Sequence, residues 1–236
     1  MKSLPRPTRL LPALAVLVLA AACGSDYSEI PPIDRTLQES SSIETIIEEL
    51  KKGNQRFAKG ESTSYDSTED ARTLADGQFP LAAFVDCIDS RLAVDVVFDC
   101  GLGTAFSANV AGNVVSPDVL GSLEYACKVA GSKVVVVLGH TRCGAVKGAC
   151  DGVELGNLTG LLAKIQPAID AVPEDGSDRT SKNEAFTTKV AHANVHHQIE
   201  RIRAESAVLR ELEEQGKIKI TGAVYDVATG LCEWLD

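Results

Sequence analysis

The sequence predicts an α/β fold: a central, mostly parallel β-sheet flanked by helices, with an N-terminal amphipathic helix and a C-terminal hairpin. Three observations carry this. Leu81–Val85 and Lys133–Leu138 are short apolar runs, the second holding four consecutive valines, which suits strands buried on both faces of a parallel sheet. Between them, about 117–130, Val119, Leu120, Leu123, Ala126 and Cys127 recur on one side of a helical stretch, which completes a parallel βαβ unit. The chain has 236 residues, 44% of them apolar and 24% charged. That is globular composition with enough apolar side chains for one sizeable core, and it excludes wholesale disorder.

The front end reads as an address. Met1–Arg9 carries three positive charges and no acids, and Leu10–Ala22 is a run of Leu, Ala and Val broken only by Pro12. This is a signal-peptide pattern, too short to span a bilayer. It ends Leu19-Ala20-Ala21-Ala22-Cys23-Gly24, which resembles a bacterial lipobox, with Ala20 where Leu is usual. Residues 1–22 are therefore expected to be a lipoprotein signal peptide and Cys23 the lipidated first mature residue, anchoring an exported protein of the cell envelope or periplasm to a membrane. Ordinary cleavage near the alanine run and an uncleaved anchor are the alternatives. Polar, Pro-containing residues from Ser25 to Ser40 extend this into a flexible tether, 23–40, and the domain is expected over 41–236.

Within the domain, Ser41 with Glu44 makes a capping-box pattern, and Ile43, Ile46, Ile47, Leu50 and Phe57 fall at helical spacing, so an amphipathic helix is expected over 42–58. Polar residues 173–184 read as an exposed loop. Helices are expected over 189–203 and 207–214, the latter ending at Gly216. Residues 217–226 and 231–235, joined through 227–230, read as a closing hairpin.

The net charge is −10. Residues 1–22 hold Lys2, Arg6 and Arg9 and no acid, so without them 20 basic residues face 33 acidic ones. So acidic a surface repels phosphate backbones, which argues against a nucleic-acid partner. The seven cysteines, at 23, 87, 100, 127, 143, 150 and 232, are too few and too irregular for a disulfide-built scaffold.

Two segments carry the chemistry. Cys87-Ile88-Asp89-Ser90-Arg91 follows the first predicted strand, and Gly139-His140-Thr141-Arg142-Cys143-Gly144 follows the second. Sites form at the carboxyl ends of strands in open parallel sheets, so both segments open on the same edge. Residues 87 and 89 point the same way in extended chain, and His140 and Cys143 converge at a strand-to-helix turn. Cys87, Asp89, His140 and Cys143 together make a donor set suited to tetrahedral zinc. Taken singly, each cysteine reads as a buried core thiol, and in an oxidising compartment Cys87 and Cys143 have the further option of a disulfide. His192, His196 and His197 on a helix face read as solvated bystanders. Tyr125 and Tyr225 read as core or subunit-contact residues, and Arg142 as a surface cation or substrate guide. Cys127 and Cys232 read as core thiols, with Cys100 and Cys150 free or paired.

The series Gly53-Asn54-Gln55-Arg56-Phe57, Cys87-x-Asp89-Ser90-Arg91, Ala111-Gly112-Asn113, Ser122-Leu123-Glu124-Tyr125, Gly139-His140-Thr141-x-Cys143-Gly144 and Gly222-Ala223-Val224-Tyr225-Asp226 resembles the β-class carbonic anhydrases over about 43–235. The resemblance implies one zinc ion per chain, with Cys87, His140 and Cys143 as ligands. It implies Asp89 and Arg91 as the catalytic pair, with Asp89 either filling the fourth zinc position or turning away to Arg91 and leaving it to water. It further implies reversible hydration of carbon dioxide to bicarbonate by zinc-bound hydroxide, and a homodimer or higher homo-oligomer. The competing functions are hydrolysis of carbon disulfide or carbonyl sulfide on the same fold, and a non-catalytic zinc- or bicarbonate-binding envelope protein.

Overall fold

A computed structural model of the chain describes residues 33–235; the signal-peptide reading, Cys23 and the first part of the tether lie outside the described residues. Among the described residues no helix is long and apolar enough to cross a membrane.

Among the described residues five strands form one sheet in the order β2-β1-β3-β4-β5: β1 (Ala82–Asp86), β2 (Ala105–Asn109), β3 (Val134–His140), β4 (Lys219–Tyr225) and β5 (Cys232–Leu235). The first four are parallel and β5 alone is antiparallel. Every residue of β1 and β3 is buried, as a strand covered on both faces requires. Alternation divides them: Val135 and Val137 face one core layer with Val195, Ile199 and Ile202, while Val134, Val136 and Leu138 face the other with Ile46, Leu50 and Phe98. Fully burying each such side chain stabilises the fold by about 1.5–3 kcal/mol relative to leaving it in water. The hairpin of β4 and β5 is present, but β4 also pairs along its length with β3, so it lies inside the sheet.

Among the described residues ten α-helices cover the two faces: α1 (Arg35–Ser40), α2 (Ile43–Lys59), α3 (Ser67–Thr73), α4 (Val94–Val97), α5 (Pro117–Glu124), α6 (Gly144–Cys150), α7 (Gly156–Leu162), α8 (Gln166–Ala171), α9 (Glu184–Glu205) and α10 (Ala207–Glu214). The stretch expected as one helix over 117–130 is α5 followed by a wider π turn, Tyr125–Val129. α9 begins five residues earlier than the apolar spacing suggests, because Asn183 caps it by accepting from the Phe186 amide. The long helix packs closely on the sheet. A Cβ at Gly139 would stand 2.7 Å from Val195 Cγ2, and one at Gly222 would overlap Val195 Cγ1, so glycine is what lets α9 approach β3 and β4.

Two expectations near the start need correcting. The segment 23–40 is not all tether, and the folded body begins before Ser41. Asp34 caps α1, and the buried Gln38 donates its amide to Pro80 O and Ala130 O, both at 2.8 Å, tying the segment to the sheet's amino-terminal edge. The cap of α2 is Ser42, which accepts from the Thr45 amide, while the Ser41 hydroxyl instead donates back to Leu37 O and closes α1.

Candidate metal centre

The register that pairs Val85 with Val137 brings the ends of β1 and β3 level, so Cys87 emerges beside the segment that ends in His140. Cys143 follows at the first turn of α6. The ligand atoms of Cys87, His140 and Cys143 all lie within 4.8 Å of one another, and the residues are 4, 1 and 3% exposed. Arg142 makes the tight return possible by adopting φ +57°, a left-handed conformation uncommon outside glycine.

The electrostatics are those of a binding site rather than of a core. His140 Nδ1 stands 2.9 Å from Thr141 O, which can only accept, so the proton belongs on Nδ1. Nε2 is left with a lone pair, buried and without a protein partner. The two sulfurs are 4.0 Å apart, and Cys87 Sγ also accepts from the Gly112 amide at 3.3 Å. The neighbouring Cys143 thiol and the Gly112 amide pull the Cys87 thiol down from its ordinary value. The neighbouring sulfur and burial push Cys143 up. Two tetrahedral ligands each about 2.3 Å from one zinc ion are about 3.8 Å apart, so the sulfur spacing and the orphaned imidazole nitrogen fit that ion.

Asp89 is turned toward Arg91. Arg91 Nε donates to Oδ1 at 2.8 Å and Nη2 to Oδ2 at 2.7 Å, and the Arg91 backbone amide donates to Oδ1 at 3.0 Å. These bonds hold the carboxyl down to about 2. Its Oδ2 is nonetheless only 3.8 Å from His140 Nε2, at the mouth of the cluster. Val110, Val114 and Val146 pack with the two cysteines and keep the floor of the site apolar.

Of the remaining candidates, Tyr225 borders this cluster and the others stand apart from it. His192 Nε2 lies 3.8 Å from Glu233 Oε2, and Arg142 pairs with Glu184 at 2.8 Å. Tyr225 is buried opposite His140 across the β3–β4 ladder, and Tyr125 is half-exposed against Phe106. Cys100, Cys127, Cys150 and Cys232 are free, and burial pushes Cys100, Cys127 and Cys232 up to about 12 and Cys150 up to about 11, which keeps them as thiols. Sequence reasoning missed the Gly112 amide as a partner of Cys87. The only trace of it was the Ala111-Gly112-Asn113 triplet, where Gly112 and Asn113 take φ of 70° and 46°.

A parallel sheet whose carboxyl edge gathers two thiols, an imidazole and a clamped carboxylate is an α/β fold with a candidate metal-binding site. Residues 82–232 match the carbonic anhydrase family. Carbonic anhydrase 2 of Mycobacterium tuberculosis is 35% identical over 187 residues, 77% of this chain and 87% of that one. The crystal structure of a β-carbonic anhydrase of Aspergillus fumigatus superposes with a TM-score of 0.61 at 28% identity, over 72% of this chain and 81% of that one. A Coccomyxa β-carbonic anhydrase shares the fold with a TM-score of 0.63 at 24% identity, over 83% of this chain and 87% of that one. The chain belongs to the β-class carbonic anhydrases.

Proposed function

We propose that this chain hydrates carbon dioxide reversibly to bicarbonate and a proton, with one zinc ion held by Cys87, His140 and Cys143. The observation that carries this reading is the buried thiol–imidazole–thiol cluster with Asp89 gripped by Arg91 at its mouth. When bound, zinc supplies a Lewis acid that makes hydroxide available near neutral pH.

The chain's own residues do the rest. His140 keeps Nε2 free for the metal by donating its Nδ1–H to Thr141 O. Arg91 keeps Asp89 charged and draws it off the cluster, which would leave a metal held there accessible to solvent and substrate. Released from Arg91, Asp89 is close enough to take that position itself, so the pair sets whether the site is open or closed. Oδ2, facing the site, is also placed to accept a hydrogen bond from the attacking nucleophile. The apolar floor made with Val110, Val114 and Val146 suits an uncharged, apolar substrate.

Stopped-flow hydration of carbon dioxide, run beside release of sulfide from carbonyl sulfide and carbon disulfide, tests the substrate. Hydration that exceeds both sulfur reactions supports this function, and sulfide release in its place overturns it. The setting we propose is the cell envelope, with residues 1–22 removed and Cys23 lipidated; the charge and apolar pattern of Met1–Ala22 supports it. Assembly into a homo-oligomer is supported by apolar side chains left in water, among them Ile88, Tyr125 and Val129.

A further inference from the structure

Helix α9 buries two amides one turn apart, Asn194 and Gln198, each 0% exposed, on a face otherwise made of Val190, Ala191, Val195, Ile199 and Ile202. Buried amides cost stability unless they are bonded, and these are bonded in a chain that leads to the metal centre. Arg201 anchors the far end, gripping Glu205 and donating Nη1 to Val115 O at 2.8 Å. Gln198 accepts from the Val115 amide at 2.8 Å and donates to Asn194 Oδ1 at 3.0 Å. Asn194 donates to Gly112 O at 2.8 Å. The Gly112 amide in turn donates to Cys87 Sγ at 3.3 Å.

We infer that Asn194 and Gln198 are positioning residues for Cys87: through Gly112 they fix one backbone N–H on its sulfur and thereby set how strongly that thiolate donates to the metal. A hydrogen bond to a ligating sulfur withdraws charge from it. Two thiolate ligands donate more charge than imidazoles would, which blunts the metal as a Lewis acid, and the Gly112 N–H offsets part of that donation. Leucine at 194 would leave Gly112 O unheld, and leucine at 198 would remove the donor that fixes Asn194 Oδ1. A Cβ at position 112 would stand 2.7 Å from Ile165 Cδ1, so packing limits what can carry this N–H and the left-handed turn that aims it.

The inference rests on Cys87, His140 and Cys143 as the metal ligands. The full chain is loaded with cobalt, and its sulfur-to-cobalt charge-transfer band is recorded for wild type, Asn194→Ala and Gln198→Met. Ile202→Val, buried on the same helix but outside the chain of bonds, is the control. Zinc affinity is read on the same proteins by chelator competition. Asn194→Ala is expected to move the band to lower energy, because the sulfur donates more, and to weaken zinc about tenfold or more, because Cys87 is no longer held in place. Gln198→Met should move both in the same direction by less, and Ile202→Val neither. A folded Asn194→Ala with the wild-type band and wild-type zinc affinity overturns the inference. If that variant does not fold, the same result on Gln198→Met overturns it. A wild-type chain that takes up neither metal overturns the ligand reading, and the inference with it.

Discussion

Arg91 holds Asp89 by both carboxylate oxygens, Nε to Oδ1 at 2.8 Å and Nη2 to Oδ2 at 2.7 Å, while Asp89 Oδ2 stays 3.8 Å from His140 Nε2. The carboxylate is thus withheld from the Cys87, His140 and Cys143 side chains by one guanidinium, itself half-exposed. Arg91→Ala removes the grip and frees Asp89 to close the fourth position. Hydration is expected to fall about 100-fold or more with zinc content unchanged. Stopped-flow assay and metal analysis on one sample check this; full activity in Arg91→Ala would refute the clamp.

Removing zinc should destabilise the whole domain, because the cluster leaves two thiols and an imidazole nitrogen buried in the same apolar pocket. At free zinc a thousandfold above Kd, binding contributes about 4 kcal/mol of stability. Thermal melts with and without a chelator should differ by several degrees, and identical melts after verified zinc loss would count against the site.

Asp99 is the structural counterpart of Asp89. It is 4% exposed with φ +42°, and its carboxylate accepts from Arg56 and from the amide and hydroxyl of Thr63. Asp99→Ala leaves those donors unpaired and should cost about 2–4 kcal/mol, below the range for a fully buried pair because Arg56 is a third exposed. The denaturation midpoint should drop while hydration per folded molecule stays the same. A variant with normal stability but lost activity would reverse this assignment.

Gln38→Ala tests whether α1 belongs to the folded body. The change strands Ala130 O and leaves Pro80 O only the Ser132 hydroxyl at 3.3 Å, and a loss of about 1–3 kcal/mol is expected in urea unfolding. An unchanged midpoint would return residues 35–40 to the tether.

How far the sequence could be read follows from how local each signal is. The valine run of β3 and the two short segments after β1 and β3 are contiguous in the chain, so both the buried strands and the four candidate ligands could be picked out without coordinates. β2 was not foreseen. Ala105–Asn109 is short, only partly buried and holds two polar residues, Ser107 and Asn109, whose side chains donate to the buried Asp86 on the neighbouring strand. Helices α3, α4, α7 and α8 were missed because runs of four to seven residues show barely one or two turns of periodicity, whereas α6 was expected from the strand-to-helix turn at Cys143. The hydrogen bonds of Gln38 and of Asn194 span 42 and 82 residues, and no pattern within a single segment announces a partner so far away.

The most direct test of the account is zinc content and carbon dioxide hydration measured together on the wild-type chain and on Cys87→Ser, His140→Ala and Cys143→Ser. The account predicts one zinc per chain with hydration in the wild type, and loss of both in each variant. A full complement of zinc without hydration in the wild type, or zinc retained at full occupancy when any of the three residues is replaced, would contradict it.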